Sequence, residues 1–96
     1  MATIGILSRL QFDAHTRSIN VESDDTMDRV AEAAASVAIG IHAVHPDPSQ
    51  PLRVRFTTDD DSGKPLARDL TVAQAGFRHF DCIDVYVEGL DRPAPR

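Results

Sequence analysis

The sequence feature that most constrains the fold is an amphipathic segment from Asp24 to Gly40. Its apolar residues recur at steps of three and four, the spacing that stacks side chains on one face of a helix. These residues are Met27, Val30, Ala31, Ala34, Val37, Ala38 and Ile41. Asp25 or Thr26 can cap the first turn, and Gly40 can end the helix. The pattern therefore predicts one long helix whose apolar face forms a wall of the core.

Most of the remaining chain consists of short segments that alternate apolar and polar residues, which is typical of strands that bury one side. The predicted strands are Thr3 to Phe12, Ser18 to Glu22, Leu52 to Thr57, Pro65 to Ala67 and Cys82 to Glu88. The fourth contains a proline and is expected at a sheet edge. Asp69 or Thr71 can cap a single helical turn that Gly76 ends. The segment after the long helix has three prolines within six residues, which predicts an extended loop.

This order of elements, β-β-α-β-β-short helix-β, predicts a β-grasp (ubiquitin-like) fold of the α+β class. A right-handed crossover places the last strand parallel to the first in a mixed sheet, with the long helix across one face. Strand alternation turns Ile6, Leu10 and Phe12 toward the helix. The open face of the sheet is then left to Leu7, Arg9, Arg53, Arg55, Asp84 and Tyr86. We predict one domain over residues 1–90 and a proline-rich tail over 91–96.

Charge and hydropathy exclude several classes of function. The formal net charge is −5 and Lys64 is the one lysine, whereas nucleic-acid phosphates are bound by clustered basic residues. No basic leader precedes an apolar run, and no run approaches the roughly 18 apolar residues of a membrane span. We therefore expect a cytoplasmic protein that binds neither nucleic acid nor membrane. A single cysteine, Cys82, excludes an internal disulfide framework.

Two groups of residues partly resemble metal sites. His42 and His45 lie three positions apart in the proline-rich loop, but no second pair of ligands follows at a usual spacing. Asp59 to Asp61, with Gly63, resemble a calcium loop only in part, because the glycine is one position early and no bidentate glutamate follows. We predict that both segments are solvated loops and that this chain has no metal or cofactor site.

Catalytic residues are equally hard to assemble. Cys82 has no histidine close in sequence and is interpreted as a packing residue. Asp84, opposite Arg53 or Arg55, is interpreted as one half of a cross-strand ion pair. Ubiquitin-like sulfur carriers and protein modifiers end in Gly-Gly, whereas Gly89 is followed by seven residues that include two prolines. We therefore expect no catalytic residues here and discard the sulfur carrier as the leading hypothesis.

Several short stretches, taken together in order, resemble the gamma subunit of the hydroxylase of soluble multicomponent diiron monooxygenases. These bacterial enzymes act on toluene, isoprene and short alkenes, and the likeness is to the toluene 4-monooxygenase type. The stretches are Thr26 to Glu32, Arg53 to Arg55, Arg68 to Ala73 with Ala75 and Gly76, and Ile83 to Val85. The resemblance spans most of the domain. The acidic hairpin from Thr57 to Pro65 and the proline-rich tail depart from the family and leave the substrate open.

The resemblance implies a non-catalytic structural subunit in a hydroxylase with two copies each of alpha, beta and gamma chains. The diiron centre, which activates O2 for insertion of one oxygen atom into a hydrocarbon, would belong to alpha. Electrons would arrive through a reductase and a Rieske ferredoxin, and an effector protein would dock on alpha. The chain would be part of an oxidoreductase only through the complex, which would epoxidise isoprene or alkenes or hydroxylate aromatics.

Two surfaces could dock on the alpha subunit: the outer side of the helix around Ala33 and Ala35, and the open sheet face. We favour the sheet face because arginine and tyrosine often anchor interfaces. The predicted docking residues are Leu7, Arg9, Arg53, Arg55 and Tyr86. The arginines could instead only solubilise the sheet and pair with Asp84. The alternative function is a free-standing ubiquitin-like interaction module.

Overall fold

The computed structural model describes residues 2–13, 15–39, 50–58 and 63–90. The elements of this part are, in chain order, β1 (Thr3–Leu10), β2 (Thr16–Glu22), α1 (Met27–Ser36), β3 (Arg53–Phe56), α2 (Val72–Ala75) and β4 (Cys82–Tyr86). The strands form one sheet in the order β2-β1-β4-β3. β1 is antiparallel to β2 and parallel to β4, and β3 is antiparallel to β4. This mixed sheet, with α1 across one face, is the predicted β-grasp arrangement.

The core lies between α1 and the inner face of the sheet. The helix contributes Met27, Val30, Ala31 and Ala34, and the strands contribute Ile6, Leu10, Ile19, Val21, Val54, Ile83 and Val85. All of these side chains are at most 6% exposed. Burying each valine, isoleucine, leucine or methionine stabilises the fold by about 1.5–3 kcal/mol. One helix covers one face of the sheet, so the other face is available for function.

The helix α1 starts as predicted and ends earlier than predicted. Thr26 is its N-cap, and the Thr26 hydroxyl accepts a hydrogen bond from the backbone N–H of Arg29 at 3.3 Å. The helix ends at Ser36, so the predicted end at Gly40 is wrong. The backbone N–H of Ala38 turns back to the carbonyl of Ala35 at 3.1 Å, which closes a tight turn after the last helical residue. Gly40 itself lies outside the described residues.

The short helix α2 is confirmed with both of its predicted ends. Thr71 is the N-cap: its hydroxyl accepts from the backbone N–H of Gln74, and the Gln74 side chain accepts from the backbone N–H of Thr71. This reciprocal capping box satisfies two donors that a helix start would otherwise leave unpaired. Gly76 ends the helix with φ +77°, a left-handed conformation that glycine adopts without steric cost.

Two predictions about strands are wrong. Phe12 was expected inward, but β1 ends at Leu10 and a turn follows, closed by a hydrogen bond from the backbone N–H of Asp13 to the Leu10 carbonyl at 3.0 Å. Phe12 occupies this turn with φ +66° and is 47% exposed. The segment from Pro65 to Ala67 is not a strand. It contacts β3 through a backbone hydrogen bond from the N–H of Leu66 to the carbonyl of Val54 at 2.8 Å and through the Leu66 carbonyl, which accepts from the side chain of Arg53. Pro65 has no N–H with which to extend a ladder.

Candidate interaction site on the open sheet face

The centre of the open sheet face is Asp84, which is buried although it points away from the helix. The register of the sheet aligns Arg9 of β1, Asp84 of β4 and Arg55 of β3 in one row across three strands. Arg9 Nη2 lies 3.0 Å from Asp84 Oδ1, and Arg55 Nε donates to Oδ2 at 3.0 Å. The hydroxyl of Thr57 donates to Oδ1 at 2.8 Å. The predicted cross-strand ion pair is thus present, with Arg55 and not Arg53 as the partner on β3.

These contacts give Asp84 a structural role. The residue is 5% exposed, and burying a carboxylate is costly unless it is paired and hydrogen-bonded. Both of its oxygens receive such partners from Arg9, Arg55 and Thr57. The contacts connect β1, β3 and β4 through one buried side chain.

Tyr86 extends this cluster along β4. The guanidinium of Arg55 lies over the Tyr86 ring, 4.4 Å from its centroid, which is a cation–π geometry. Burial raises the pKa of the Tyr86 hydroxyl above its ordinary value, and the nearby positive charge of Arg55 opposes that shift only in part. Tyr86 is therefore a neutral hydroxyl near pH 7. We call Arg9, Arg55, Thr57, Asp84 and Tyr86 the Asp84 cluster.

Arg53 stands beside the Asp84 cluster and not within it. It is in register with Tyr86 at the edge of the sheet. Its Nη1 lies 3.3 Å from Glu88 Oε1, and its Nη2 donates to the carbonyl of Leu66 at 3.0 Å. The Arg53 side chain is 21% exposed and the Glu88 side chain 60% exposed, so this ion pair is open to solvent on one side.

At the other end of the open face the side chains form a groove that the sequence did not predict. Gly5 and Leu7 of β1 line it together with Asn20 of β2 and the loop residues His79 and Phe80, and its volume is about 370 Å³. We call it the Phe80 groove. The predicted docking residue Leu7 lies here, half-buried, apart from the predicted arginines. The one signal in the sequence that could have indicated it is the phenylalanine placed between the polar residues His79 and Asp81.

The candidate metal-binding residues find no support in the part of the chain that the structure describes. Within those residues, no three His, Cys, Asp or Glu side chains come close enough to hold a metal ion. His42, His45 and the run from Asp59 to Asp61 lie outside the described residues. Cys82 is a free, half-buried thiol whose sulfur lies 3.5 Å from the Thr57 hydroxyl. That this chain has no cofactor of its own stays a prediction.

The family model of toluene-4-monooxygenase system protein B, TmoB, matches residues 3–87 of this chain. The chain belongs to the TmoB family. The resemblance inferred from the sequence is thereby confirmed. No curated protein sequence matches the chain at a significant level.

Solved structures agree with this family assignment. A chain of the toluene 4-monooxygenase HD complex with the inhibitor 4-bromobenzoate is 25% identical, with a TM-score of 0.81; the match covers 91% of this chain and 100% of that one. A ubiquitin from Caldiarchaeum subterraneum is 12% identical over 94% of this chain and 99% of that one, with a TM-score of 0.62. The ubiquitin-like domain of Plasmodium falciparum Dsk2 is 15% identical over 91% and 100%, with a TM-score of 0.63.

Two conclusions follow from these matches. The ubiquitin-like structures confirm the predicted β-grasp fold, and the TmoB family relates the chain to a multicomponent monooxygenase. Neither helix of the described residues is long and apolar enough to span a lipid bilayer. The predicted cytoplasmic location stays a prediction.

Proposed function

We propose that this TmoB-family chain is the non-catalytic, structural gamma subunit of the hydroxylase of a multicomponent diiron monooxygenase that oxidises hydrocarbons with O2. The observation that carries the proposal is the match to a whole chain of the toluene 4-monooxygenase complex, 100% of which is covered at a TM-score of 0.81. Because the match covers the whole of a small chain in that complex, it supports the same position for this chain in a similar complex. Isoprene or alkene epoxidation and aromatic hydroxylation are the candidate reactions.

In this proposal the chemistry belongs to the other subunits. Two copies each of alpha, beta and gamma form the hydroxylase, the diiron centre lies in alpha, and a Rieske ferredoxin and a reductase supply electrons. An effector protein binds alpha. The gamma chain contributes a rigid surface. The commitment of Asp84 to two arginines and a threonine supports this role, because the buried carboxylate serves the sheet and not a substrate.

We further propose that the open sheet face docks on alpha through Leu7, Arg9, Arg53, Arg55 and Tyr86. Its support is preorganisation: the salt bridges to Asp84 hold Arg9 and Arg55 in fixed positions, and Arg55 in turn packs on Tyr86. Side chains that are ordered before binding lose less conformational entropy on docking. Arginine and tyrosine are also frequent among the residues that dominate interface energies.

The test is coexpression of this chain with the alpha and beta subunits of its own host, with a tag on alpha. The proposal predicts that the chain copurifies at one copy per alpha, and that the complex holds two irons per alpha while the chain purified alone holds none. Leaving the chain out should lower the yield or thermal stability of the hydroxylase more than it changes the substrate oxidised. An alpha–beta complex that forms, works and never retains this chain would contradict the proposal.

The same experiment tests the alternative, a free-standing ubiquitin-like interaction module. The observation that favours this alternative is the structural likeness to separate ubiquitins and ubiquitin-like domains. It predicts that the chain purifies without alpha and beta even when all three are coexpressed.

A further inference from the structure

Phe80 is the most exposed large apolar residue of the part of the chain that the structure describes. Its exposed fraction is 82%, and the next such residue, Phe12, is 47% exposed. A single exposed apolar residue is common on protein surfaces. Phe80 differs because it borders a groove whose other walls include Leu7 and Gly5, so apolar surface continues from the ring into a concavity.

The loop that carries Phe80 holds it in an unfavourable backbone conformation. Its φ is +70°, which is an outlier for a bulky side chain and suits glycine or asparagine better. The backbone N–H of Phe80 donates to the Gly5 carbonyl at 2.8 Å, and the N–H of Gly5 donates to His79 Nδ1 at 3.1 Å. Within the loop, the N–H of Arg78 donates to Asp81 Oδ2 at 2.8 Å. The loop is therefore tied to β1 and to itself, and the ring is displayed from a fixed base.

The groove next to Phe80 has room for a side chain from another molecule. Gly5 lines it, and an added Cβ there would meet nothing closer than Asn20 Oδ1 at 3.5 Å and His79 Nδ1 at 4.0 Å. The groove volume of about 370 Å³ exceeds that of any single side chain. Strand β1 thus presents no side chain at this point of the groove lining.

The lining of the groove indicates the chemistry of its partner. None of its lining residues is an aspartate, glutamate, arginine or lysine. Carboxylates adjoin it on two sides: Glu22 accepts a hydrogen bond from the lining residue Thr3 at 2.8 Å, and Asp81 follows Phe80 in the loop. The groove also continues through Leu7 into the open sheet face that we propose docks on alpha. A second copy of the chain would bring a further charge of −5 and is disfavoured, whereas an apolar surface of alpha is complementary to the exposed ring and the uncharged groove.

We propose that Phe80 is the anchor by which the chain docks on the alpha subunit, entering an apolar pocket of alpha. An apolar side chain of alpha fills the groove above Gly5 in return. This inference rests on the proposed function and adds to it the residue that dominates the interface. An aromatic ring that is displayed from a fixed backbone loses little conformational entropy on binding, and aromatic residues often contribute a large share of the binding energy of an interface.

The test uses the full chain and a purified alpha–beta complex, with affinity measured by surface binding. Phe80→Asn and Phe80→Gly should each weaken binding by about 30-fold or more. Phe80→Leu, which keeps an apolar side chain on the same backbone, is the matched control and should change affinity by less than about 5-fold. Thermal unfolding separates docking from folding, because asparagine and glycine fit φ +70° better and should leave Tm unchanged or raise it.

A second variant fills the groove without touching the ring. Gly5→Val suits a strand and should weaken binding by about 10-fold or more, since its methyl groups occupy the space for the side chain of alpha. Circular dichroism and thermal unfolding check that this variant is folded before its affinity is compared.

The possible outcomes separate this inference from the function on which it rests. If the wild-type chain does not bind alpha–beta, both fail. If the wild-type binds and Phe80→Asn binds equally well, the chain is a subunit and Phe80 is not its anchor. If the free chain forms a dimer that Phe80→Asn dissociates, the groove is an interface between copies and the proposed occupant is wrong.

Discussion

The two ends of the open sheet face differ in whether their side chains find partners within the chain. At the Asp84 cluster, charged side chains satisfy one another: a 5% exposed carboxylate is bound by Arg9, Arg55 and Thr57. At the Phe80 groove, an 82% exposed ring has no covering partner in the described chain. Residue types alone would assign the arginines to binding and the phenylalanine to the core. In the proposed interface, the charged end supplies side chains that are already held in place within the chain, and the apolar end supplies an exposed anchor.

The largest effect expected at the charged end is on stability. Arg55→Met removes one of two cations from the buried Asp84 carboxylate and should lower the free energy of unfolding by about 3 kcal/mol, because the remaining charge is only partly compensated. Urea denaturation measures this loss. Arg29→Met is the control: its partner Glu32 is 69% exposed and Arg29 itself 66%, so the loss there should stay below about 0.5 kcal/mol. Equal losses in both variants would contradict the structural role given to the cluster.

The next effect concerns docking through the charged end. Arg55→Ala combined with Tyr86→Ala should weaken association with alpha by at least roughly 2 kcal/mol, because it removes two of the proposed anchors. Ala35→Ser, on the outer side of α1, should leave association unchanged. Binding is measured at a temperature where circular dichroism confirms that the double variant is folded. A folded double variant that binds like the wild type would assign docking to the Phe80 groove alone.

A smaller effect compares the two exposed phenylalanines. Phe80 and Phe12 both have positive φ, +70° and +66°, so Phe80→Asn and Phe12→Asn should each relieve backbone strain. We expect a gain of about 0.5 kcal/mol at Phe80, whose ring is almost fully exposed, and less at Phe12, whose ring loses some buried contact. Thermal unfolding of both variants measures the difference. A clear loss of stability in Phe80→Asn would mean that the ring supports the fold and is not reserved for a partner.

The smallest effect is a pH dependence at the turn between β1 and β2. Burial disfavours the charged form of Asp13, but hydrogen bonds from the His15 backbone and from Arg17 outweigh it and lower the pKa of Asp13 below its ordinary 3.8. A lowered pKa in the folded state stabilises the fold above the ordinary pKa, and this contribution is lost as pH falls through the folded value. Asp13→Asn should therefore flatten the stability profile below about pH 4 and lower stability slightly at pH 7. Unchanged acid unfolding in the variant would contradict this assignment.

Features that depend on neighbouring residues could be predicted from the sequence, whereas features that depend on contacts between residues far apart in the chain could not. The strands, the start of α1 and the capped turn of α2 follow from local alternation and from Thr26 and Thr71, so they could be predicted. Asp84 was assigned to the correct face, but its burial depends on neighbours from two other strands. The conformation of Phe80 depends on a loop tied to Gly5, and the related bond from Gly5 to His79 joins residues 74 positions apart. No local pattern contains that information.

The early end of α1 and the exposure of Phe12 also differ from the prediction, because apolar periodicity does not show where a helix or a strand ends. Ala38 remains buried after the helix has ended, at 1% exposure, so the apolar spacing continues past the hydrogen-bonded helix and overstates its length. Phe12 continues the alternation of β1, but the turn at Leu10 to Asp13 overrides it. Periodicity reports which side chains are apolar and does not report where the backbone changes direction.

The most direct test of this account is hydroxyl-radical footprinting of the chain, free and in the assembled hydroxylase, with oxidation of Phe80 read by mass spectrometry. The account predicts that Phe80, 82% exposed in the free chain, is strongly oxidised alone and protected by at least about 5-fold in the complex. Oxidation of the exposed α1 surface, read at Arg29, whose side chain is 66% exposed, should not change. Equal oxidation of Phe80 in both states, with protection at Arg29 instead, would contradict this proposal and assign docking to the helix.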